Sequence, residues 1–600
     1  MAYYHFAEMI LRKAEHFGEK TILKTRNKAT GVWGDISYRV LADKVFSAAK
    51  AMSEFGVQVQ ENLGVFSQNM AECIIVDFAG FTNRAVMVPL YATSSPAQVE
   101  YIVNDAAIRT LFVGEQLQYN CAYKVQKDSK ILERLVVFDK EVKFHPEDKT
   151  SIYFEDFLKL GDESTAEADV KIRISEACEE DLANILYTSG TTGEPKGVMI
   201  HHSNYAEVLR IHDERLTMLS ENDLSMCFLP LTHIFEKAWS YYCLHKGITV
   251  AVNHDPKIIQ QTIKEVRPSL MCSVPRFWEK VYAGVQDKIN SSEGLMRKLF
   301  LDAIETGRKY NLDYINKKKN PPLGLKLKFN FYNKTIYSKL KTVIGIENGK
   351  LFPCSGASLN DEIIVFLKSV NIPIIYGYGM TETTATVSCY PEFGFELGTV
   401  GTLMPGVQAK IGENNELLLK GKTITKGYYN KPEANKEAFI DGWLRTGDAA
   451  SLQGDVLSLK DRIKDLYKTA NGKYIAPQAI EAKMGGDKYI EMIAVIGDKR
   501  KFVSALIVPA YPMLEEYAKK RGIKYDSMDE LVNNEDIQKL IEARIEEHQK
   551  TFASYEKIKR FRVLANPFTM ESGELTNTLK VRRAVILNRY ADLIDSMYQE

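Results

Sequence analysis

A mostly apolar run, Leu182 to Leu186, leads into Tyr187-Thr188-Ser189-Gly190-Thr191-Thr192-Gly193-Glu194-Pro195-Lys196-Gly197. Three glycines, four aliphatic hydroxyls and one lysine fall within eleven residues. Glycine lets the backbone take positive φ and approach a phosphate closely, hydroxyls donate to phosphate oxygens, and Lys196 adds a compact cation. A strand that delivers the chain into such a loop predicts a polyphosphate cradle in an α/β layer. The bland alternative, a flexible Gly/Thr linker, does not account for the ordered strand before it. The loop is not a Walker A motif. Counting from Gly190, the second glycine of GxxxxGK would be Pro195, and Lys196 is followed by Gly197 instead of Ser or Thr.

The surrounding text agrees with an α/β chain. From about residue 35 to 275, short apolar runs such as Asn62–Phe66, Thr110–Gly114 and Leu135–Asp139 alternate with longer helical patterns such as Ser95–Ala106. Such alternation predicts layers built on mostly parallel sheets. A Lys-rich, helix-biased stretch over 285–350, broken by Asn320-Pro321-Pro322, reads as a surface insertion. Between Gly406 and Leu459 the pattern turns to strands and turns, predicting a β-rich subdomain over about 398–460. After Asp461-Arg462-Ile463-Lys464-Asp465 it shifts again, so a boundary is expected there, giving a large domain over 1–463 and a smaller one over 464–600. At 600 residues the chain exceeds the ~250–300 that one core supports.

Composition narrows the function. Lys plus Arg and Asp plus Glu both number 78, so no overall field favours nucleic acid. Eight scattered cysteines show neither a disulfide framework nor zinc spacing, which suits reduced thiols and a cytoplasmic protein. The first twenty residues carry charges every few positions and read as an amphipathic helix, not a secretory signal. No run approaches the ~20 apolar residues that span a bilayer, leaving room only for peripheral contact with the inner face of a membrane. A homodimer is compatible with all of this.

A second glycine-rich turn follows the apolar segment Val370–Ile375: Tyr376-Gly377-Tyr378-Gly379-Met380-Thr381-Glu382-Thr383. An aromatic freed by flanking glycines can stack on a base, and a carboxylate nearby can hold a hard divalent cation beside phosphates. Taken alone, a core tyrosine and a helix-capping pair are as good an explanation. Company decides it: Trp443-Leu444-Arg445-Thr446-Gly447-Asp448, then Asp461-Arg462 and Lys464, then Lys468 and Asn471-Gly472-Lys473-Tyr474.

These segments, in this order, resemble the adenylate-forming superfamily of acyl-CoA synthetases, luciferases and peptide-synthetase adenylation domains, over roughly residues 35–585. Leu229-Pro230-Leu231-Thr232-His233-Ile234-Phe235-Glu236, Val274 to Lys280, Ser355-Gly356-Ala357-Ser358-Leu359 and Glu571 to Lys580 are similar to the long-chain fatty acyl branch. The resemblance implies an adenylate-forming fold with a small mobile α+β C-terminal domain. It implies a long-chain fatty acid:CoA ligase that uses ATP, Mg2+ and CoA. An enzyme loading a carrier protein, or a non-catalytic nucleotide-binding scaffold, stays open as an alternative.

Residue by residue, the resemblance implies that Thr188, Ser189, Gly190, Thr191, Thr192, Gly193 and Lys196 hold the triphosphate, with Thr188 and Glu382 near magnesium. Tyr378, within Tyr376-Gly377-Tyr378 and beside Thr381, would stack on adenine. Asp448 and Arg462 would bind ribose, while His233, Gly356 and Ala357 would line the acyl and adenine pockets. Lys464 would be the hinge, Lys468 and Lys473 would join the cofactor site, and Lys580 would be the catalytic lysine. Singly, Asp448 could be a turn residue, Arg462, Lys464 and Lys580 solvated charges, and His233 a core histidine; only the ordered set favours the functional assignment. The chain departs from the family pattern at Thr578-Leu579, where many relatives have Gly before the late lysine, and at Asn577, often proline. The aromatic gate of some relatives has its nearest counterpart in Trp239, two positions away.

Overall fold

The computed structural model describes residues 5–188, 194–463, 467–468, 474–550, 552–570, 572–576 and 580–599. Four sheets of three or more strands organise it. One has seven strands in the order Ile152–Tyr153, Arg134–Val137, Thr110–Val113, Asn62–Ser67, Val86–Tyr91, Leu182–Thr188, Lys196–His201. Every neighbouring pair is parallel except the last, an antiparallel hairpin. All six residues of Asn62–Ser67 are buried, as a parallel strand covered on both faces requires. A second, five-stranded sheet runs Leu270–Met271, Leu224–Cys227, Thr249–Val252, Thr21–Arg26, Trp33–Ser37, again antiparallel only at its last pair. The expected mostly parallel layers are therefore present.

Helices between these sheets supply the main core. Ala71–Thr82 and Ile234–Lys246 are buried almost throughout. Between them lies an internal ion pair, Lys237 with Asp77, at 1% and 3% exposure, joined by the Tyr241 hydroxyl donating to Asp77. The helix Phe6–Phe17 is amphipathic as expected, with Phe6, Ala7, Met9 and Ile10 buried. Phe6 packs among Phe78, Phe81, Tyr205 and Tyr241. Its apolar face is thus spent on the core.

The strand-and-turn region forms a nine-stranded sheet that begins earlier than the sequence pattern suggests. Phe352–Cys354 and Ile374–Met380 are continuous with it, ahead of Ala385–Cys389, Thr402–Leu403, Val456–Arg462, Trp443–Gln453, Glu416–Lys420 and Gln408–Ile411. Short strands entering from a parallel pair carry no turn signal that would separate them. The Lys-rich stretch folds as the helices Gly294–Arg308, Leu323–Tyr332 and Ser338–Ile344, linked by π-helical turns. It is more than a surface insertion, because Ala303, Phe329, Tyr332 and Tyr337 enter the hydrophobic core beneath it.

Beyond residue 474 a three-stranded sheet, Ile490–Ile496, Val503–Pro509 and Ile558–Val563, packs with its helices around cores of its own. It meets the rest of the chain through Arg276 with Glu491 (2.7 Å), Lys488 with Asp287 (3.0 Å) and Lys483 with Glu362 (2.5 Å). All eight cysteines are free. Among the described residues no helix is long and apolar enough to cross a membrane.

Candidate active site

The glycine-rich loop closes a hairpin, not a strand-to-helix turn. Tyr187 pairs with Gly197 and Thr188 with Lys196, so the latter two face each other at its mouth. A Cβ on Gly197 would lie 2.5 Å from Ile185 and 3.1 Å from the Tyr187 ring, so the hairpin can close this tightly only with glycine there. Ser189, Gly190, Thr191, Thr192 and Gly193 lie outside the described residues.

The chain after Thr423 lies along the same hairpin. Tyr429 N donates to Gly197 O and Met199 N to Gly427 O, while Thr425 N donates to Glu382 O at 2.8 Å. This stitching delivers Tyr428 between two expected site residues. Its ring sits 5.1 Å beneath the Lys196 ammonium, and its hydroxyl donates to Glu382 Oε1 at 2.9 Å. Tyr428 was not among the sequence candidates. The Gly427-Tyr428-Tyr429 triplet in a strand-and-turn region was its only signal.

Glu382 lies in the turn Thr381–Thr383 between Ile374–Met380 and Ala385–Cys389. Thr384 and Ala385 follow at φ 48° and 81°, a left-handed pair that bends the chain sharply after the carboxylate. Burial raises the Glu382 pKa above its ordinary value, opposed in part by the Tyr428 hydroxyl and Arg462. A desolvated carboxylate with so little neutralisation is suited to a cation. A Cβ on Gly379 would stand 1.5 Å from Ala385 O, so this hairpin too depends on glycine.

From the same strand, the Tyr378 hydroxyl donates to Asp448. Asp448 and Arg462 are cross-strand partners, with Nε to Oδ1 at 3.5 Å. Tyr376 does a different job: its hydroxyl donates to Ala357 O at 3.1 Å and accepts from Leu359 N at 3.2 Å, fastening the Gly356-Ala357 loop to this strand. Gly356 has φ +93°, a turn that a side chain would strain.

His233 caps the helix Ile234–Lys246, its Nδ1 accepting from Phe235 N at 3.2 Å, which leaves the proton on Nε2. Desolvation, and secondarily the charge of Lys580, push its pKa down to about 4. Lys580 stands between Thr576 and Val581 on the C-terminal domain. Part of its side chain meets solvent; burial of the rest, and then Arg462, lowers its pKa, while Asp448 raises it. Lys580 is therefore within the electrostatic reach of His233, Asp448 and Arg462, although it lies in another domain. Lys464 and Lys473 lie outside the described residues; Lys468 is placed only by its backbone pairing with Tyr474. Trp239 is buried, its indole N–H donating to Ser225 at 2.9 Å, beneath the five-stranded sheet.

A phosphate-suited hairpin, a desolvated carboxylate, a Tyr–Asp–Arg cluster and a lysine from a separate domain thus share one cleft. The model of the family described as "AMP-binding enzyme" matches residues 10–429, and that of the "AMP-binding enzyme C-terminal domain" matches residues 464–600. The chain belongs to the AMP-binding enzymes. Among curated AMP-binding relatives, a long-chain-fatty-acid–CoA ligase of Mycobacterium bovis is 30% identical over 577 residues, covering 95% of this chain and 93% of that protein. Long chain acyl-CoA synthetase 4 of Arabidopsis thaliana is 29% identical over 593 residues, covering 94% and 86%. Among solved structures, the adenylation domain of a carboxylate reductase from Mycobacterium chelonae is 21% identical with a TM-score of 0.79, covering 100% of this chain and 92% of that one. At that identity it establishes the adenylate-forming fold alone.

Proposed function

We propose that this AMP-binding enzyme is a long-chain fatty acid:CoA ligase that first makes acyl-AMP and pyrophosphate from ATP, then passes the acyl group to CoA. The observation that carries this reading is the convergence of Lys196, Glu382, Asp448–Arg462 and Lys580, drawn from two domains, on one cleft. Relatives named as long-chain ligases, alike over nearly the full chain, support the acid and the acceptor.

A carboxylate resists a thiol because it is anionic and its oxygen leaves poorly. Joining that oxygen to the α-phosphorus of ATP and releasing pyrophosphate makes AMP the leaving group. In this reading Tyr378 offers its face to adenine and Asp448 accepts from ribose hydroxyls. Lys196 and Lys580 stabilise charge that builds on the transferring phosphoryl and pyrophosphate oxygens. His233, neutral with its proton on Nε2, orients the carboxylate by donating to it. Glu382 and Thr188 fit a magnesium ion held chiefly by substrate phosphates, since one desolvated carboxylate and a hydroxyl make an incomplete protein ligand set. That ion would neutralise the phosphates; Glu382 would fix its position.

The thiol of CoA then attacks the acyl carbonyl and AMP departs, a step that has no need of Lys580. A swing of the C-terminal domain about Lys464 would withdraw it and bring Lys473 and its neighbours to the cleft. Peripheral contact with a bilayer suits an enzyme whose acid partitions into lipid.

The test is mass spectrometry of products after incubation with ATP, magnesium, CoA and a mixture of fatty acids. Acyl-CoA with AMP is expected. Acyl-AMP without thioester points to a carrier-protein acceptor, and the absence of turnover to a nucleotide-binding scaffold.

A further inference from the structure

Exposed large apolar side chains are unevenly placed. Of the nineteen among the described residues, seven lie between 295 and 343: Leu295, Met296, Leu301, Leu323, Leu327, Phe331 and Val343. On the helix Leu323–Tyr332, Leu323, Leu327 and Phe331 recur every four residues at 72%, 61% and 58% exposure, an apolar ridge facing solvent. The helix's other side is already occupied, with Phe329 and Tyr332 buried in the core. Phe393 and Leu397, also exposed, lie on a different segment that Gly394 N and Phe395 N pin to Asn316, at the end of the turn preceding this helix.

Charge distinguishes this surface from an ordinary greasy patch. Between Lys288 and Lys341 there are thirteen Lys or Arg and four Asp or Glu, in a chain whose totals balance at 78 each. Lys317, Lys318 and Lys319 immediately precede the ridge, Lys326 and Lys328 lie within it, and Lys334 and Lys339 continue along the next turns. Lys318 stands 6.0 Å from the centre of the Phe393 ring. A ridge of Leu and Phe beside exposed lysines, of which Lys328 pairs with Asp302 at 2.7 Å, matches an interface with apolar depth and an anionic rim, into which lysine stems extend while their ammonium groups stay among headgroups. A second copy of the chain fits poorly, because a two-fold contact would set one lysine-rich face against another.

We infer that the ridge Leu323–Leu327–Phe331, with the flanking lysines, is a docking surface for an anionic lipid bilayer. The amphipathic N-terminal helix is not available for this role, because its apolar face is buried. The inference rests on this surface and not on the ligase reading, and its test needs no catalysis.

The full chain is floated with phosphatidylcholine vesicles, with and without phosphatidylglycerol, at low and high salt. Binding to the anionic vesicles, weakened by salt, is expected. It should fall by about tenfold or more in the Leu327→Asp, Phe331→Asp double variant and, separately, in the Lys326→Glu, Lys334→Glu double variant. An unchanged thermal unfolding midpoint identifies variants whose fold is intact, and if the aspartates unfold the chain, Leu327→Ser with Phe331→Ser replaces them. Equal binding to neutral vesicles, retention of binding in both folded variants, or a monomer–dimer shift in the variants without loss of vesicle binding would overturn the inference.

Discussion

The Tyr378 hydroxyl donates to Asp448, linking the glycine-rich turn to the strand that carries the cross-strand Asp448–Arg462 pair. The ring face and the hydroxyl of Tyr378 therefore have separable tasks. Tyr378→Phe should cost about 0.5–1.5 kcal/mol, a few-fold rise in KM for ATP. Tyr378→Ala, which would also remove the proposed stacking face, should add about 1–3 kcal/mol. Equal effects of the two would mean that the ring does not meet the base.

Lys580→Ala should abolish acyl-AMP formation while sparing thioester formation from supplied acyl-AMP and CoA. Because desolvation and Arg462 lower the Lys580 pKa, its charge is lost at lower pH than for an ordinary lysine. The adenylation half-reaction should accordingly decline on the alkaline side earlier than an unperturbed lysine predicts, and Lys580→Arg should remove that decline. Loss of both half-reactions alike in Lys580→Ala would rule out the assigned role.

Four histidines desolvated by burial should each make the fold acid-sensitive, offset in part by Glu236, whose carboxyl pKa is raised by burial to about 8 and which therefore gains native-state protons as pH falls. His5, His212 and His233 have pKa values lowered to about 4, and His202 lies well below the usual range, all principally by burial. The unfolded chain binds these protons below about pH 6.5, whereas the native chain does not until about 4. Stability is thus complete above the unfolded value and is lost as pH falls through this window, by on the order of 2 kcal/mol per ring. Thermal unfolding from neutral to acid pH measures it, and replacing His202 with an uncharged residue should flatten the slope. A slope unchanged by the His202 substitution would contradict the burial argument.

Lys237→Met should destabilise by about 3–5 kcal/mol, since it leaves Asp77 in the core with Tyr241 as its side-chain partner among the described residues. Lys237→Met combined with Asp77→Leu should recover much of that loss. Chemical denaturation of the two variants decides, and a double variant no better than the single would show that the pair itself is worth keeping.

The parallel layers were legible because each strand is a short apolar run between helical patterns, and so was the strand that enters the glycine-rich loop; the antiparallel return of Lys196–His201 beside it was not. Tyr428 was not legible, since its place between Lys196 and Glu382 depends on a long-range stitch from Thr425 to Tyr429 that no local pattern encodes. Nor was the hydroxyl role of Tyr376, which follows from the path of the 357–359 loop. The inward half of the Lys-rich helices was masked by its own charges, because Phe329, Tyr332 and Tyr337 are interleaved with lysines.

The polar contacts between the large and small domains, Arg276–Glu491, Lys488–Asp287 and Lys483–Glu362, join side chains that remain partly wet. Each such pair is worth about 0–1 kcal/mol, so together they act as a latch that ordinary salt can undo. If the small domain swings as proposed, a molecule that binds one arrangement a few kcal/mol better than another would set its posture, and ionic strength would act as a dial on that balance.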